Sequence, residues 1–276
     1  MVLWDTIYED TLDGQLGRLK FKPLMPCPYI EVKMKLILDN PSYLKDTIPI
    51  IGELVLEGKF KITNSGITLL CMDASNVAFI VFKLLKSSFS SYDIKEDLTV
   101  GLNISDFKSV LRKCKDKDHL IITYDDNRLI LTIKGKTTRI FKLPTIDIEQ
   151  DGKESELKFE CTIKTESDIL TDVVEVAELG KDEGGVVFNI SDKIVCDSIL
   201  PPKESQTIIK ADKHTTISGT CRSKYAIRYL KKFVSGSKIS NFVTIQMSTD
   251  YPIKISYKIP DKVELAFILA PMVENE

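Results

Sequence analysis

The side chains able to do chemistry fall into stripes rather than into a catalytic cluster. Lys108, Arg112 and Lys115 recur at i, i+4 and i+7, and Lys224, Arg228 and Lys231 repeat that spacing with Lys232 beside them. On an α-helix such spacing puts the cations on one face. Phe107, Val110 and Leu111 lie opposite in the first set, and Ile227, Leu230 and Val234 in the second. A row of cations suits the phosphates of a nucleic-acid backbone, which carry charge but no sequence. A third stripe has the opposite sign, Asp168, Asp172 and Glu175, followed by Glu178. It repels phosphate wherever it faces one.

Catalysis and metal binding find few side chains to work with. Six cysteines stand at 27, 71, 114, 161, 196 and 221, too far apart for a CxxC metal or redox pair, and they read as reduced thiols, some buried as small apolar groups. His119 and His214 have no second ligand at helical or hairpin spacing. No Walker loop and no glycine-rich dinucleotide fingerprint occurs in the sequence. The adjacent carboxylates Asp125 and Asp126 are the pair to weigh for hydrolysis, but they sit in a turn between two strand-like runs, where acids are ordinary. The expectation is no catalytic residue, no metal and no cofactor.

The chain of 276 residues, 43% hydrophobic and 28% charged, has room for two domains of ordinary globular composition. That excludes a disordered or low-complexity scaffold. The longest apolar run, residues 265–273, is about half of a membrane span. The opening Met-Val-Leu-Trp-Asp-Thr lacks the basic and apolar regions of an export signal, so a cytoplasmic protein is expected, or a nuclear one in a nucleated cell. A net charge of −2 argues against attachment to nucleic acid by global charge and leaves only local basic faces.

The elements that must position the stripes come in two copies about 125 residues apart. Helices are predicted over residues 42–57 and 167–179, with Leu44, Ile48, Ile51 and Val55 in one and Leu170, Val173, Val174 and Ala177 in the other at helical spacing. Pro49 should kink or break the first. Second helices, over 105–114 and 223–234, start on Ser105 and Ser223, both suited to capping, and Leu111 aligns with Leu230. Strand-like runs surround them. Residues 59–63 and 67–71 flank a turn at Asn64-Ser65-Gly66, and hairpins cover 119–133 and 242–257. Each copy closes on a last strand, 137–143 and 263–269. The pattern describes two α+β units in tandem, joined by a polar connector that carries the isolated apolar residues Ile146 and Ile148.

Five segments carry a family likeness. Gly66-Ile-Thr-Leu-Leu-Cys-Met-Asp-Ala-Ser-Asn-Val-Ala-Phe79 resembles the signature of archaeal and eukaryotic sliding clamps, the proliferating cell nuclear antigen family. Leu98-Thr-Val-Gly-Leu-Asn-Ile-Ser-Asp-Phe-Lys108 resembles the segment leading into the family's second helix, and residues 143–150 resemble its interdomain connector. Tyr225-Ala-Ile-Arg-Tyr-Leu230 and Leu269-Ala-Pro-Met-Val-Glu274 resemble its last helix and C-terminal motif. The likeness runs in register from about Tyr29 to the end. It implies clamp domains over 30–143 and 157–276, a connector over 144–156, and an extension over 1–29. In that extension Arg18 stands where a clamp-binding peptide beginning at Gln15 needs an aliphatic residue, so the segment is not implied to bind its own clamp.

The resemblance implies a ring-shaped trimer, with helices lining a hole for duplex DNA and sheets outside. It implies a sequence-independent DNA tether for DNA polymerase, the clamp loader, nuclease and ligase, with no membrane role. A homotrimer and a heterotrimeric or checkpoint-type clamp both stay open, the second because the third helix is acidic. DNA-facing residues would be Lys45, Lys108, Arg112, Lys115, Lys224, Arg228, Lys231 and Lys232. Residues 137–143 of one subunit would pair with 206–211 of the next, placing Thr137, Arg139, Phe141, Gln206, Ile208 and Lys210 at the subunit interface. Partner peptides, with one aliphatic and two aromatic anchors, would enter a groove of Met72, Asn76, Val77, Ile146, Ile148, Pro252, Ile268, Ala270, Pro271 and Met272. Asn76 stands where eukaryotic members often carry histidine, and Asp151 and Lys153 stand where they carry apolar connector residues.

Overall fold

Period-two burial builds most of the molecule. In the computed structural model, which describes residues 33–149, 152, 154, 156–178, 184–200 and 203–272, the extension 1–29 and the connector positions Asp151 and Lys153 lie outside the described residues. The first half runs β1 (Met34–Leu38), α1 (Ser42–Ile51), β2 (Glu57–Thr63), β3 (Gly66–Met72), β4 (Ala78–Leu85), β5 (Ser91–Ile94), β6 (Leu98–Asn103), α2 (Ile104–Leu111), β7 (His119–Asp125), β8 (Arg128–Lys134) and β9 (Thr138–Pro144). The second runs β10 (Cys161–Glu166), α3 (Ser167–Glu178), β11 (Gly185–Ile190), β12 (Lys193–Leu200), β13 (Lys203–Lys210), β14 (Thr216–Ser218), β15 (Cys221–Ala226), α4 (Ile227–Val234), β16 (Phe242–Met247), β17 (Ile253–Ile259) and β18 (Val263–Leu269). In β1, Met34, Leu36 and Leu38 are buried while Lys35 faces out, the alternation of a sheet covered on one side.

Three sheets result, in the orders β5-β1-β7-β8-β9, β14-β10-β16-β17-β18-β4-β3-β2-β6 and β13-β12-β11-β15. The nine-stranded sheet is a five-stranded run and a four-stranded run joined at one antiparallel seam, β18 on β4, from Val263 opposite Leu84 to Leu269 opposite Ala78. The same two runs recur separately. β5-β1-β7-β8-β9 repeats the order β14-β10-β16-β17-β18, and β13-β12-β11-β15 repeats β4-β3-β2-β6. The two copies of the α+β unit therefore share a sheet in the middle, while β9 and β13 end their own sheets.

The helices bury one face each on these sheets: Ile104, Phe107, Val110 and Leu111 of α2, and Ile227, Tyr229, Leu230 and Phe233 of α4. Phe107 meets Phe60 edge-on at 5.8 Å, and Phe233 stacks on Phe267 at 4.5 Å. α1 packs beside α2, α3 beside α4, and the 3-10 turn Ser235–Lys238 after α4 touches both α1 and α3. The helices thus follow one another as α2, α1, α4, α3.

Four local expectations need correction. The first helix stops at Ile51, with Pro49 inside its last turn, where the missing N–H removes a single intrahelical bond. The second begins at Ile104 and is capped by Asn103, whose side chain accepts from the Asp106 N–H at 3.1 Å, in place of Ser105. Residues 223–226 are strand, because Cys221, Ser223 and Tyr225 point inward at period two, and α4 starts only at Ile227. Leu230 therefore matches Phe107, both standing three residues after the first residue of their helices, rather than Leu111. At the β7–β8 hairpin, Asp126 and Asn127 both adopt left-handed φ (46° and 54°), the backbone of a tight mirror-image turn. Asp125 and Asp126 stand exposed on it.

Candidate nucleic-acid face and peptide groove

The row of helices carries its charges unevenly. Arg112, Lys115 and Arg228 are exposed, as are Asp168, Asp172 and Glu175 on α3. Several of the cations expected to meet phosphate are engaged within the molecule. Lys45 Nζ sits 3.1 Å from Asp116, Lys231 Nζ lies 2.6 Å from Glu178, and Lys232 Nζ donates to the Glu53 carbonyl at 2.9 Å. Exposed ion pairs of this kind contribute about 0–1 kcal/mol, so a phosphate can compete for the lysines. Arg228 and Lys232 also sit over the Tyr229 ring, at 5.3 and 5.8 Å from its centroid. Lys108 is half-buried on α2. Lys224 lies on β15, outside the helix, and its carbonyl accepts the Met272 N–H at 2.7 Å, beside the C-terminal tail. Lys238, exposed on the turn after α4, was not singled out from sequence. Its signal was its place: it follows α4 as Lys115 follows α2.

The face of the nine-stranded sheet away from the helices carries a separate apolar cluster of Phe79, Val81 and Ala266, with Leu70 and Ile268 against it. The connector crosses this face. Ile146 N–H donates to the Gly101 carbonyl on β6 at 3.0 Å. Further along, a Cβ on Gly152 would stand 2.3 Å from the Leu70 carbonyl oxygen of β3, so only glycine lets the connector lie so close. Glu154 then takes Lys83 of β4 and Lys254 of β17, each at 3.0 Å. Burial pushes the Glu154 carboxyl up, but the hydrogen bonds from Lys254 and Lys83 outweigh it and hold the group below the ordinary glutamate range.

Opposite the connector, Ala270 N–H donates to the Val77 carbonyl at 3.1 Å, and the tail continues to Met272 on β15. The loop between β3 and β4 stands between them. Asp73, buried, organises it: one carboxylate oxygen accepts from Val77 and Ala78 N–H at 2.8 and 2.7 Å, and the other accepts from Ser75 N–H at 3.2 Å and from the Tyr229 hydroxyl at 2.7 Å. Asn76, in that loop, is left-handed at φ 56°. Burial raises the Asp73 carboxyl, and the donors, Ala78 first, then Tyr229 and Val77, bring it below its usual value.

Of the expected groove residues, the fold gathers Met72 and Ile268 on either side of Phe79, Val77 against Ala270, and Pro252 beside the strand that pairs with Leu269. Asn76 lies on the loop above them, and Pro271 and Met272 lead away toward β15. Ile146 and Ile148 do not join this set. They are held on Gly101 of β6, four strands from β18, which at ~4.8 Å per strand is about 19 Å. Glu154, Lys83, Lys254, Asp73 and Tyr229 were missed from sequence. The polar members look like ordinary surface residues until the connector's path is known.

The open edges gather the remaining set. Gln206, Ile208 and Lys210 are exposed on β13, with Ile208 50% exposed and Gln206 Nε2 donating to Asp197 at 2.8 Å. On β9, Phe141 packs on the core. Arg139 turns inward to Asp118 (2.6 Å) and the Lys113 carbonyl (2.7 Å), so both reach the edge through backbone alone. Thr137 falls in the turn before β9, which starts at Thr138. The exposed apolar side chain there is Ile140, 61% exposed and not anticipated.

Among the described residues no group of acids, histidines and cysteines could hold a metal ion, and the five cysteines carry free thiols. No helix among them is long and apolar enough to cross a membrane.

Comparison with known proteins agrees with this fold. Family profiles for the N-terminal and C-terminal domains of proliferating cell nuclear antigen match residues 33–153 and 154–272. A DNA polymerase sliding clamp of Thermococcus gammatolerans is 31% identical over 261 residues, covering 87% of this chain and 99% of its own. The fold matches that of the proliferating cellular nuclear antigen of Entamoeba histolytica with a TM-score of 0.81 at 18% identity, over 88% of this chain and 100% of that one. It also matches a chain of a PCNA2–PCNA3 complex from Sulfolobus tokodaii, with a TM-score of 0.79 at 22% identity over 86% and 99%.

Proposed function

The chain belongs to the proliferating cell nuclear antigen family and is a DNA sliding clamp, a processivity factor without catalysis, and from that premise we propose that three copies close a ring by repeating the β18–β4 seam between β9 of one copy and β13 of the next. The observation that carries this is the sheet order. The seam joins a five-stranded run to a four-stranded run, and the chain ends in one free run of each kind. Pairing them satisfies both open edges and makes every sheet of the ring nine-stranded.

The acidic third helix takes its meaning from the same repetition. Burial matches α1 with α3: Leu44, Thr47, Ile48 and Ile51 correspond to Leu170, Val173, Val174 and Ala177, which pairs Asp46 with Asp172 and Ile50 with Val176. At the internal seam the second half of the chain covers α1. Ile50 is 2% exposed, and Asp46 and Lys238 line one cavity of about 180 Å³. On α3 the same face is bare, with Val176 36% exposed. Lys238 corresponds to Lys115. Repeating the seam therefore sets Asp172 of one copy toward Lys115 of the next, with Asp168 and Glu175 facing the basic stretch around Arg112 and Lys113. The acids are complementary to cations that this chain itself supplies, which favours a homotrimer. Clamp domains over 30–143 and 157–276, linked by 144–156, then give six like units around the hole.

Lys108, Arg228, Lys231 and Lys232 remain to meet the duplex. A few exchangeable contacts suit sliding, since affinity falls with salt at a slope of about −0.9 per phosphate engaged and no base is read. Retention comes from enclosure. The polymerase, clamp loader, nuclease and ligase would dock by short peptides on Met72, Val77, Ile268 and Ala270 under the connector, each buried anchor contributing roughly 1.5–3 kcal/mol. The ring is tested by the native mass of the purified chain. Three chain masses at micromolar concentration is expected. A monomer at all concentrations, or assembly only after a second, different clamp chain is added, overturns it.

A further inference from the structure

A hydrogen bond from Tyr229 to Asp73 joins the helix row to the loop beside the proposed peptide groove. Three of the four bonds to the Asp73 carboxylate come from its own loop, from Ser75, Val77 and Ala78. They wind residues 73–78 around a single charged group. The fourth comes from Tyr229, 156 residues away on α4. Asp73 is 6% exposed and Tyr229 5% exposed, so water does not compete for the bond. The loop so held offers Val77, whose carbonyl anchors Ala270, and Asn76 in its left-handed conformation. Those residues form one side of the groove. On the other side of Tyr229, Arg228 and Lys232 sit over its ring, and Lys232 is tied to the Glu53 carbonyl at the end of α1.

Resting on the groove proposed above, we infer that Tyr229 is a positioning residue for partner-peptide binding: its hydroxyl fixes the Asp73 loop at the place where Val77 and Asn76 meet the incoming peptide. Tyr229 itself touches no peptide. It acts through the carboxylate, and the loop backbone reads the result. Without the hydroxyl, Asp73 still accepts its three local N–H bonds, so the loop stays wound but loses its tie to the second half of the chain. The loss falls on where the wall stands, not on whether the protein folds. The buried ring and its two cations are unchanged by removal of a single oxygen. A neutral amide at residue 73 keeps an acceptor for Val77 and Ala78 and can offer its NH₂ to the Tyr229 oxygen, so Asp73→Asn preserves the tie with reversed polarity while giving up the Ser75 N–H bond to the same position.

The test uses the full chain as an assembled ring and a fluorescent synthetic peptide carrying a glutamine, a leucine three residues on and two aromatics after it. Binding is titrated by anisotropy, and native mass and melting temperature are taken on the same samples. Tyr229→Phe is expected to bind about tenfold more weakly than the wild type with mass unchanged and melting within a few degrees, and Asp73→Asn is expected to fall between them. Wild-type affinity in Tyr229→Phe overturns the inference. So does a loss of binding that travels with loss of the ring or of melting temperature in both variants, because the bond would then serve only the fold. If the wild-type ring itself ignores the peptide, the groove reading fails instead, a result distinct from either.

Discussion

Replacing Asp172 with lysine should dissociate the ring, and adding Lys115→Glu in the same chain should restore it. Asp172 is exposed on α3, and its counterpart Asp46 shares a cavity with Lys238 at the internal seam. An ion pair at such a partly covered boundary contributes about 0.2–1 kcal/mol. Reversing one sign turns attraction into repulsion of similar size, so each junction loses roughly 0.4–2 kcal/mol. A ring has three junctions, and the change accumulates to about 1–6 kcal/mol, or about 10- to 10⁴-fold in the association constant at ~1.4 kcal/mol per decade. Ring formation is third order in monomer. The concentration at half assembly therefore moves by the square root, about 3- to 100-fold. Sedimentation velocity over a concentration series reads this directly, and high salt should shrink the effect, since exposed charges are screened. An unchanged half-assembly concentration for Asp172→Lys, or no recovery in the double variant, refutes the placement of α3 against the neighbouring copy.

Three further outcomes follow. Gly152→Val puts a side chain where a Cβ already stands 2.3 Å from the Leu70 carbonyl oxygen, so the connector should lift from β3. Protease cleavage of the connector should accelerate while native mass stays trimeric; an unchanged cleavage rate contradicts the close approach. The Glu154 carboxyl is held below its ordinary value by Lys254 and Lys83. Its contribution to connector docking is thus complete above the unfolded glutamate pKa of about 4.3 and lost as pH falls through the lowered value. Hydrogen exchange of the connector should rise below about pH 4 in the wild type, whereas Glu154→Gln should exchange faster already at pH 7, and a variant like the wild type there contradicts the clamp. Lys108→Glu with Arg228→Glu should impair loading and sliding on duplex DNA with the ring intact, and unchanged processivity removes both from the DNA-facing set.

Much of the fold was legible because each half repeats its hydrophobic pattern. The turn at Asn64–Ser65, the strands around Leu131 and Phe267, and the helix faces of Leu44 and Leu170 follow from local periodicity. The helix expected at Lys224 is strand, and two periods coincide there. A strand residue facing out at β15 stands four positions before Arg228, the spacing of a helical turn, and only the inward Cys221, Ser223 and Tyr225 betray the strand. Capping went to Asn103 over Ser105 because β6 runs on to the last position before the helix. The resemblance implies Ile146 and Ile148 as groove residues, but a motif carries no information about the route the connector takes over Gly101. The Asp73–Tyr229 bond spans 156 residues, a distance no spacing rule covers. Of the acids on α3, Glu178 takes Lys231 within the chain, whereas the sense of Asp168, Asp172 and Glu175 emerges when the internal seam is used as a template for the next copy.

Encirclement is measured most directly by loading the protein, with a clamp loader and ATP, onto nicked circular DNA and then cutting the circle once with a restriction enzyme. The account predicts that the clamp stays with the intact circle through a gel-filtration column and is lost within minutes after linearisation, with blocked ends restoring retention. Equal retention on circles and on linear duplexes with free ends would mean that the protein adheres to DNA instead of surrounding it.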